Sequence, residues 1–466
     1  MSLTDLLFET KNKSARQIVS ALNPGWWIRR AKRMQANRQF CDDMVDRAQL
    51  WIDGKLDGEN ERRARLSKIL CYARDHCSYY NEIFQQSKLD CVTLDHFTDV
   101  PLLDKEVVRQ KRVGMISDEL ERLHYYHMNT GGSTGEPLEY VISTEAGIVD
   151  SIHRYMLYNM HGYATGDLIA SFDGSSVPDE LRAKDIYWIF KGDVKCSFEN
   201  LHYSSLYLRP ENTHLYIEHM QGYKPSILRG YPSFFNSIAE YIIQNDIKIG
   251  YKIKGVDLTS EAVYDWQIAN IRKAFDASIV LQYGHSEASV YGLTVDDSFE
   301  YRCSPLYGYV EVLDDRGLHV KPGEVGEVIV TGFHNYAMPF IRYRTGDIAC
   351  YNGESAGTVL LGSIQGRTQD YVVSDDGSKV SLTALVFGQH YKAFGRISRW
   401  QIEQNEPGRV VVSVVPYTEC NESDYEEIRV NFAEIADIKA DIRIVSSIPL
   451  TKRGKHRFMI QHMDCN

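Results

Sequence analysis

Apolar residues recur at helical spacing among many charges from about Ala31 to Ser87, without a proline, and predict a helical N-terminal region. The stretch DVPLLDKEVVRQ (Asp99–Gln110) then opens another helix after its proline, with Asp104 as the expected cap. From Tyr125 to Val141 the pattern changes to strand, glycine-bearing loop, strand, and Thr144–Tyr163 resumes helical spacing. DLIASFDG (Asp167–Gly174) and SIVLQYGHSEA (Ser278–Ala288) are short apolar runs ending in small or polar residues. Such runs suit buried strands whose carboxyl ends carry ligand loops. Helical segments such as PSFFNSIAEYIIQND (Pro232–Asp246) separate them, so the alternation predicts an α/β fold with helices covering a largely parallel sheet.

Past Tyr307 the texture changes. Gly308–Phe333 alternates apolar and polar residues around Asp315-Arg316-Gly317 and Pro322-Gly323, which predicts antiparallel hairpins in a small β subdomain. Val372–Leu385 carries another hairpin signal at Asp376-Gly377. The last hundred or so residues, with ISRWQIEQ, RVVVSVVPY and YEEIRVNFAEIA, read as a compact α+β domain. The change of texture between Gly366 and Tyr371 predicts a boundary there. It divides residues 1–368, whose first 93 residues are the helical region, from residues 369–466.

Composition narrows the class. The 466 residues are enough for two or three domains, and 43% hydrophobic with 25% charged residues describes an ordinary globular chain. A net charge of −11 excludes a general nucleic-acid binder but permits a small anionic ligand in a local pocket. Nine scattered cysteines without a C-x-x-C pair suit a reducing compartment. The sequence has no apolar run of transmembrane length and no signal-peptide core, so a cytoplasmic location is expected. NPGWWIRRAKR (Asn23–Arg33) has a composition that would suit peripheral membrane contact or an acidic partner, although packing against its own domain is the commoner use.

NTGGSTGEP (Asn129–Pro137) concentrates three glycines and a Ser-Thr pair in nine residues. Glycines let successive N–H groups face one concavity, and the hydroxyls of Ser133 and Thr134 add donors, which together suit a polyoxygen anion. A flexible surface turn is the alternative reading. The loop is neither a Walker loop nor a G-x-G-x-x-G turn, and the missing Walker lysine counts against a kinase or GTPase. Four later stretches could serve the same ligand: YGHSE (Tyr283–Glu287), YRTGD (Tyr343–Asp347), GRTQD (Gly366–Asp370) and RGK (Arg453–Lys455). Each has an ordinary reading as a strand end, a turn cap, a surface ion pair or a solvated charge run.

In this order the five stretches resemble the motifs of the adenylate-forming superfamily of acyl-CoA synthetases and adenylation domains, from about Leu94 to Ile460. The compact length and the phrase MPFIRYRTGD are similar to the phenylacetate–CoA ligase branch, which includes the CapK-type proteins of polysaccharide clusters. The resemblance implies a large N-terminal adenylating domain and a small mobile α+β C-terminal domain. It also implies ATP and Mg²⁺ as cofactors, with attack of a carboxylate on the α-phosphate of ATP. A thiol (possible as CoA or a carrier protein), an amine or a hydroxyl would then take the acyl group.

By the same resemblance Thr130, Gly131, Gly132, Ser133, Thr134 and Gly135 cradle the phosphates, and Glu287 is catalytic and holds Mg²⁺. Tyr283 with Gly284 and the Ser260-Glu261 turn would line adenine, while Asp347 and Arg367 would bind ribose. Lys455 is the mobile catalytic cation, and Gln369 with Asp370 form the hinge, where the family usually has Asp or Lys at the first position. Phe172, His285 and Ser286 are expected to wall the acid pocket, with core packing as the equal alternative for the aromatic residues there. Glu136 stands where many members carry Lys. The stretch ASVYGLTVDDSFEYRC after the Tyr-Gly motif offers only Cys303 and no histidine, so no zinc site is expected there. A member that binds nucleotide without ligase activity is the competing class.

Overall fold

Short polar side chains open the helices that frame the molecule. Asp104 accepts the N–H of Val107 at 2.8 Å, and Ser143 accepts that of Ala146 at 3.4 Å, satisfying donors that a first helical turn leaves unpaired. The structure is a computed structural model describing residues 24–129, 138–164, 167–190, 201–367, 371–382, 385, 393, 396–416, 420–451 and 456–463, excluding the side chains of 24–37, 129, 365–367, 379, 381 and 398. The N-terminal region forms helices Pro24–Ile52, Gly58–His76 and Ser78–Ser87, as the periodicity predicts. Among the described residues, no helix is long and apolar enough to cross a membrane.

The strands Leu201–Ser204, Ile169–Asp173, Ile227–Gly230, Gly255–Thr259 and Ser278–Gly284 lie side by side in parallel. Their apolar runs are buried, and helices Thr144–Met160, Pro232–Gln244 and Asp265–Phe275 supply apolar faces to the same core. The hairpins predicted after Tyr307 extend this layer: antiparallel pairing continues from Ser278–Gly284 through Tyr291–Thr294, Tyr301–Cys303, Thr358–Arg367, Tyr343–Ser355 and Val325–Gly332 to Gly308–Leu313. The result is one twelve-stranded sheet with a parallel and an antiparallel half.

The two halves meet closely. A Cβ on Gly308 would lie 1.9 Å from the Ser289 carbonyl oxygen, so this crossing accepts only glycine. Arg342 ties the N-terminal segment to the antiparallel half. It donates to both Glu311 oxygens at 3.0 and 3.1 Å and to the carbonyls of Thr98 and Val100. Leu103 bridges Tyr343 on the same seam.

A second apolar core, drawn from residues between Val372 and Met459, belongs to the C-terminal segment. Its sheet has the order Lys439–Ile444, Arg409–Pro416, Ile397–Glu406, Met459–Gln461, and the helix Glu422–Ala436 contributes to the same core. The predicted Asp376-Gly377 hairpin forms between Tyr371–Val373 and Lys379–Ser381, with Gly377 at φ 83°. Near the large sheet, the rings of Tyr264 and Phe458 meet edge to face at 5.6 Å.

Candidate active site

Parallel strands end in alignment, so Asp173, Ser204, Gly230, Thr259 and Gly284 fall along one rim of the sheet. Just inside it, Gln282 Oε1 accepts from Thr259 at 2.7 Å and from Arg229 at 2.8 Å, linking three neighbouring strands. The turn after Gly284, closed by the Ala288 N–H on the His285 carbonyl, then carries His285, Ser286 and Glu287 past the end of the strand.

Glu287 is 5% exposed. Tyr343 donates its hydroxyl to Glu287 Oε1 at 3.2 Å, and Ser286 donates to Oε2 at 3.3 Å. Burial alone would raise this carboxyl, but attraction from the His285 ring, its own backbone N–H and the charge of Lys105 overcome burial and hold it at about 2. It is a hard, ionised oxygen ligand and suits Mg²⁺ carried by a nucleotide. Tyr283 donates its hydroxyl to Asp347 Oδ2 at 2.9 Å, while Asp347 pairs in register with Arg367 across two strands. Thus Tyr283, Asp347, Glu287 and Tyr343 converge from two motifs distant in sequence.

His285 Nδ1 lies 3.2 Å from Glu287 Oε2, yet off the axis of a hydrogen bond, and both ring nitrogens are buried without a hydrogen-bond partner among the described residues. A buried polar atom in that condition is costly unless a ligand meets it. The fit to a polar ligand beside an anionic carboxylate is therefore good at this point.

One expectation changes. Phe172 does not wall a pocket: its ring is buried, stacked on Tyr203 at 4.6 Å and packed against Phe234 and Phe235. Side chains alternate along a strand, so Phe172 enters the aromatic core. Its neighbour Asp173 sits at the strand's end and contacts His202 Nδ1 at 2.8 Å. At the Ser260-Glu261 turn, the Glu261 carboxylate meets two backbone donors. Oε2 accepts the N–H of Ser233 at 3.0 Å and Oε1 accepts that of His456 at 2.9 Å, while Ser260 turns the chain at φ 73°.

Thr130, Gly131, Gly132, Ser133, Thr134, Gly135, Gln369, Asp370 and Lys455 lie outside the described residues, as does the side chain of Arg367. Motif reading passed over Tyr343, Lys105, Asp173 and His202. Tyr343 stood inside a quoted motif, whereas nothing local distinguishes the other three.

The comparisons agree with this architecture. The chain has the fold of adenylate-forming enzymes: a solved 2-hydroxyisobutyryl-CoA ligase, in the postadenylation state with R3-HIB-AMP, superposes over 86% of this chain and 89% of that one. The TM-score is 0.66 and the identity 18%. The same ligase in its thioesterification state gives 0.52. Within that class the resemblance is to CapK. Residues 372–462 match the CapK C-terminal domain, and protein CapK of Staphylococcus aureus is 24% identical over 417 residues, 86% of this chain and 88% of that protein. A phenylacetate-coenzyme A ligase of Pseudomonas putida is 22% identical over 334 residues, 66% of this chain and 70% of that one.

Proposed function

We propose that this chain activates a carboxylic acid with ATP, forming an acyl-adenylate with release of pyrophosphate, and then transfers the acyl group to an acceptor. The convergence of the ionised Glu287 with Tyr343, beside the Tyr283–Asp347 pair at the carboxyl rim, carries this reading. Carboxylate and triphosphate repel one another, so the first step needs charge neutralisation and in-line positioning. Glu287 would hold Mg²⁺, which neutralises phosphate charge when bound. Asp347 can accept ribose hydroxyls while Tyr283 fixes its orientation. The Nε2 of His285, turned from Glu287, can meet the acid, and Lys455 would supply the cation at the reacting oxygens.

CoA thiol is one acceptor, giving an acyl-CoA ligase. The likeness to CapK along most of the chain favours a second: an amine or hydroxyl of an amino acid or sugar, giving an amide or ester for polysaccharide assembly. The cytoplasm, where ATP and reduced thiols are available, suits both.

The test is acid-dependent ATP–pyrophosphate exchange over a panel of aryl, fatty, amino and sugar acids, beside Lys455→Ala. Exchange that requires one acid and collapses in the variant is the expected result, after which CoA and amines are supplied in turn. Absence of ATP binding would overturn the reading.

A further inference from the structure

The two oxygens of Glu261 serve donors from different parts of the molecule. Ser233 lies in the first turn of helix Pro232–Gln244, so its N–H is a fixed donor at the positive end of a helix in the large domain. The N–H of His456 belongs to the peptide bond joining that residue to Lys455, and it comes from the C-terminal domain. A carboxylate can accept from both at once, and such charge-assisted bonds are stronger than neutral ones.

The surrounding contacts hold His456 to its own domain. Its Nε2 lies 2.8 Å from the Trp400 carbonyl, its ring packs on Phe458 at 4.5 Å, and Phe458 stacks against Trp400 at 4.8 Å. Arg399, on the strand Ile397–Glu406, is attracted to Glu261 and Glu240 and repelled by Arg209. Glu261 is thus the point at which a rigid helix terminus grips the chain next to Lys455.

We infer that Glu261 is a positioning residue, which docks the segment carrying Lys455 for adenylation and releases it for acyl transfer. The inference rests on the adenylating function proposed above. The contact is made in an arrangement that superposes better on the postadenylation than on the thioesterification arrangement of the same ligase, TM-scores of 0.66 and 0.52. The contact belongs to the docked arrangement, so its strength sets how the chain divides its time between two half-reactions.

Glu261→Gln is the informative substitution, because a carboxamide offers one acceptor and turns an NH₂ toward the other donor. Hydrogen exchange of the ligand-free full chain reads the tether directly. In the variant the peptide carrying His456 should exchange at least ten-fold faster, while peptides of the strands Gly255–Thr259 and Ser278–Gly284 keep their rates. Unchanged exchange at His456 would overturn the inference whatever the enzyme's substrate.

The second readout uses ATP, MgCl₂ and the acid selected by the panel above. In Glu261→Gln, kcat for ATP–pyrophosphate exchange should fall about ten-fold with KM for ATP within three-fold. Acyl transfer from the chemically supplied adenylate should stay within two-fold of wild type. Equal loss of both half-reactions would mark a merely structural residue and sink the proposal. Wild-type protein that binds no ATP would instead refute the adenylating function, while the exchange experiment still decides the tether.

Discussion

Tyr283 donates its hydroxyl to Asp347, joining the last parallel strand to the long strand Tyr343–Ser355 of the antiparallel half. Burial and the neighbouring carboxylate both raise the Tyr283 hydroxyl far above its ordinary range, so it stays protonated and donates to Asp347. In Tyr283→Phe, Asp347 loses that donor at a cost of roughly 1–3 kcal/mol. Calorimetric titration with ATP and MgCl₂ should show about ten-fold weaker binding. Asp347→Asn should weaken binding similarly, and the double variant should cost less than the sum, since both changes remove one shared contact.

Much of this architecture was legible because its signals are local. Continuous apolar runs marked the buried parallel strands, Asp104 announced its helix, and Asp376-Gly377 announced its hairpin. The union of both sheet halves was not legible, since it depends on the pairing of Ser278–Gly284 with Tyr291–Thr294 and on later strands returning to Tyr301–Cys303. No periodicity encodes such partners. The site divides in the same way. Glu287 and Asp347 could be picked from motif residues, but Tyr343 meets Glu287 only because the Leu103–Tyr343 bridge and the sheet place it there. Phe172 misled because strand alternation fixes the face of a side chain only once the end of the strand is known.

Glu287 should remain ionised across the whole working range. Its folded pKa of about 2 lies below the ordinary 4.5, so the stability it contributes is fully present above 4.5 and is lost as pH falls through 2. Glu287→Gln should therefore lower exchange activity about 100-fold at every pH between 6 and 8.5. A variant whose deficit vanished within that interval would show that Glu287 itself titrates there. The dependence of the rate on MgCl₂ concentration should shift to higher values in the same variant.

The Arg342–Glu311 pair anchors the seam between the N-terminal segment and the sheet. Both side chains are about 5% exposed, and burial raises the Glu311 carboxyl while Arg342 opposes that rise. Removing one partner strands a buried charge and frees the Thr98 and Val100 carbonyls. Arg342→Met should destabilise the chain by about 3–5 kcal/mol in urea unfolding, and Arg342→Met with Glu311→Leu should recover part of that loss. A single variant within about 0.5 kcal/mol of wild type would show that the pair does not hold the seam.

Glu240 gives the domain contact a pH dependence of its own. It lies on helix Pro232–Gln244, where burial raises its carboxyl to about 7, offset only in part by the Asn236 amide and by Arg399 of the C-terminal domain. Its folded pKa exceeds the ordinary 4.5, so its contribution is fully present below 4.5 and is lost as pH rises through 7. A displacement of that size corresponds to an effect on the order of 3 kcal/mol. Glu240→Gln keeps the acceptor for Asn236 but cannot ionise. Its melting temperature should match wild type near pH 4.5 and exceed it increasingly up to pH 8. Arg399→Met removes the attraction that favours the ionised form, so the same divergence should extend to higher pH. Parallel melting curves for wild type and Glu240→Gln across this range would show that Glu240 titrates normally.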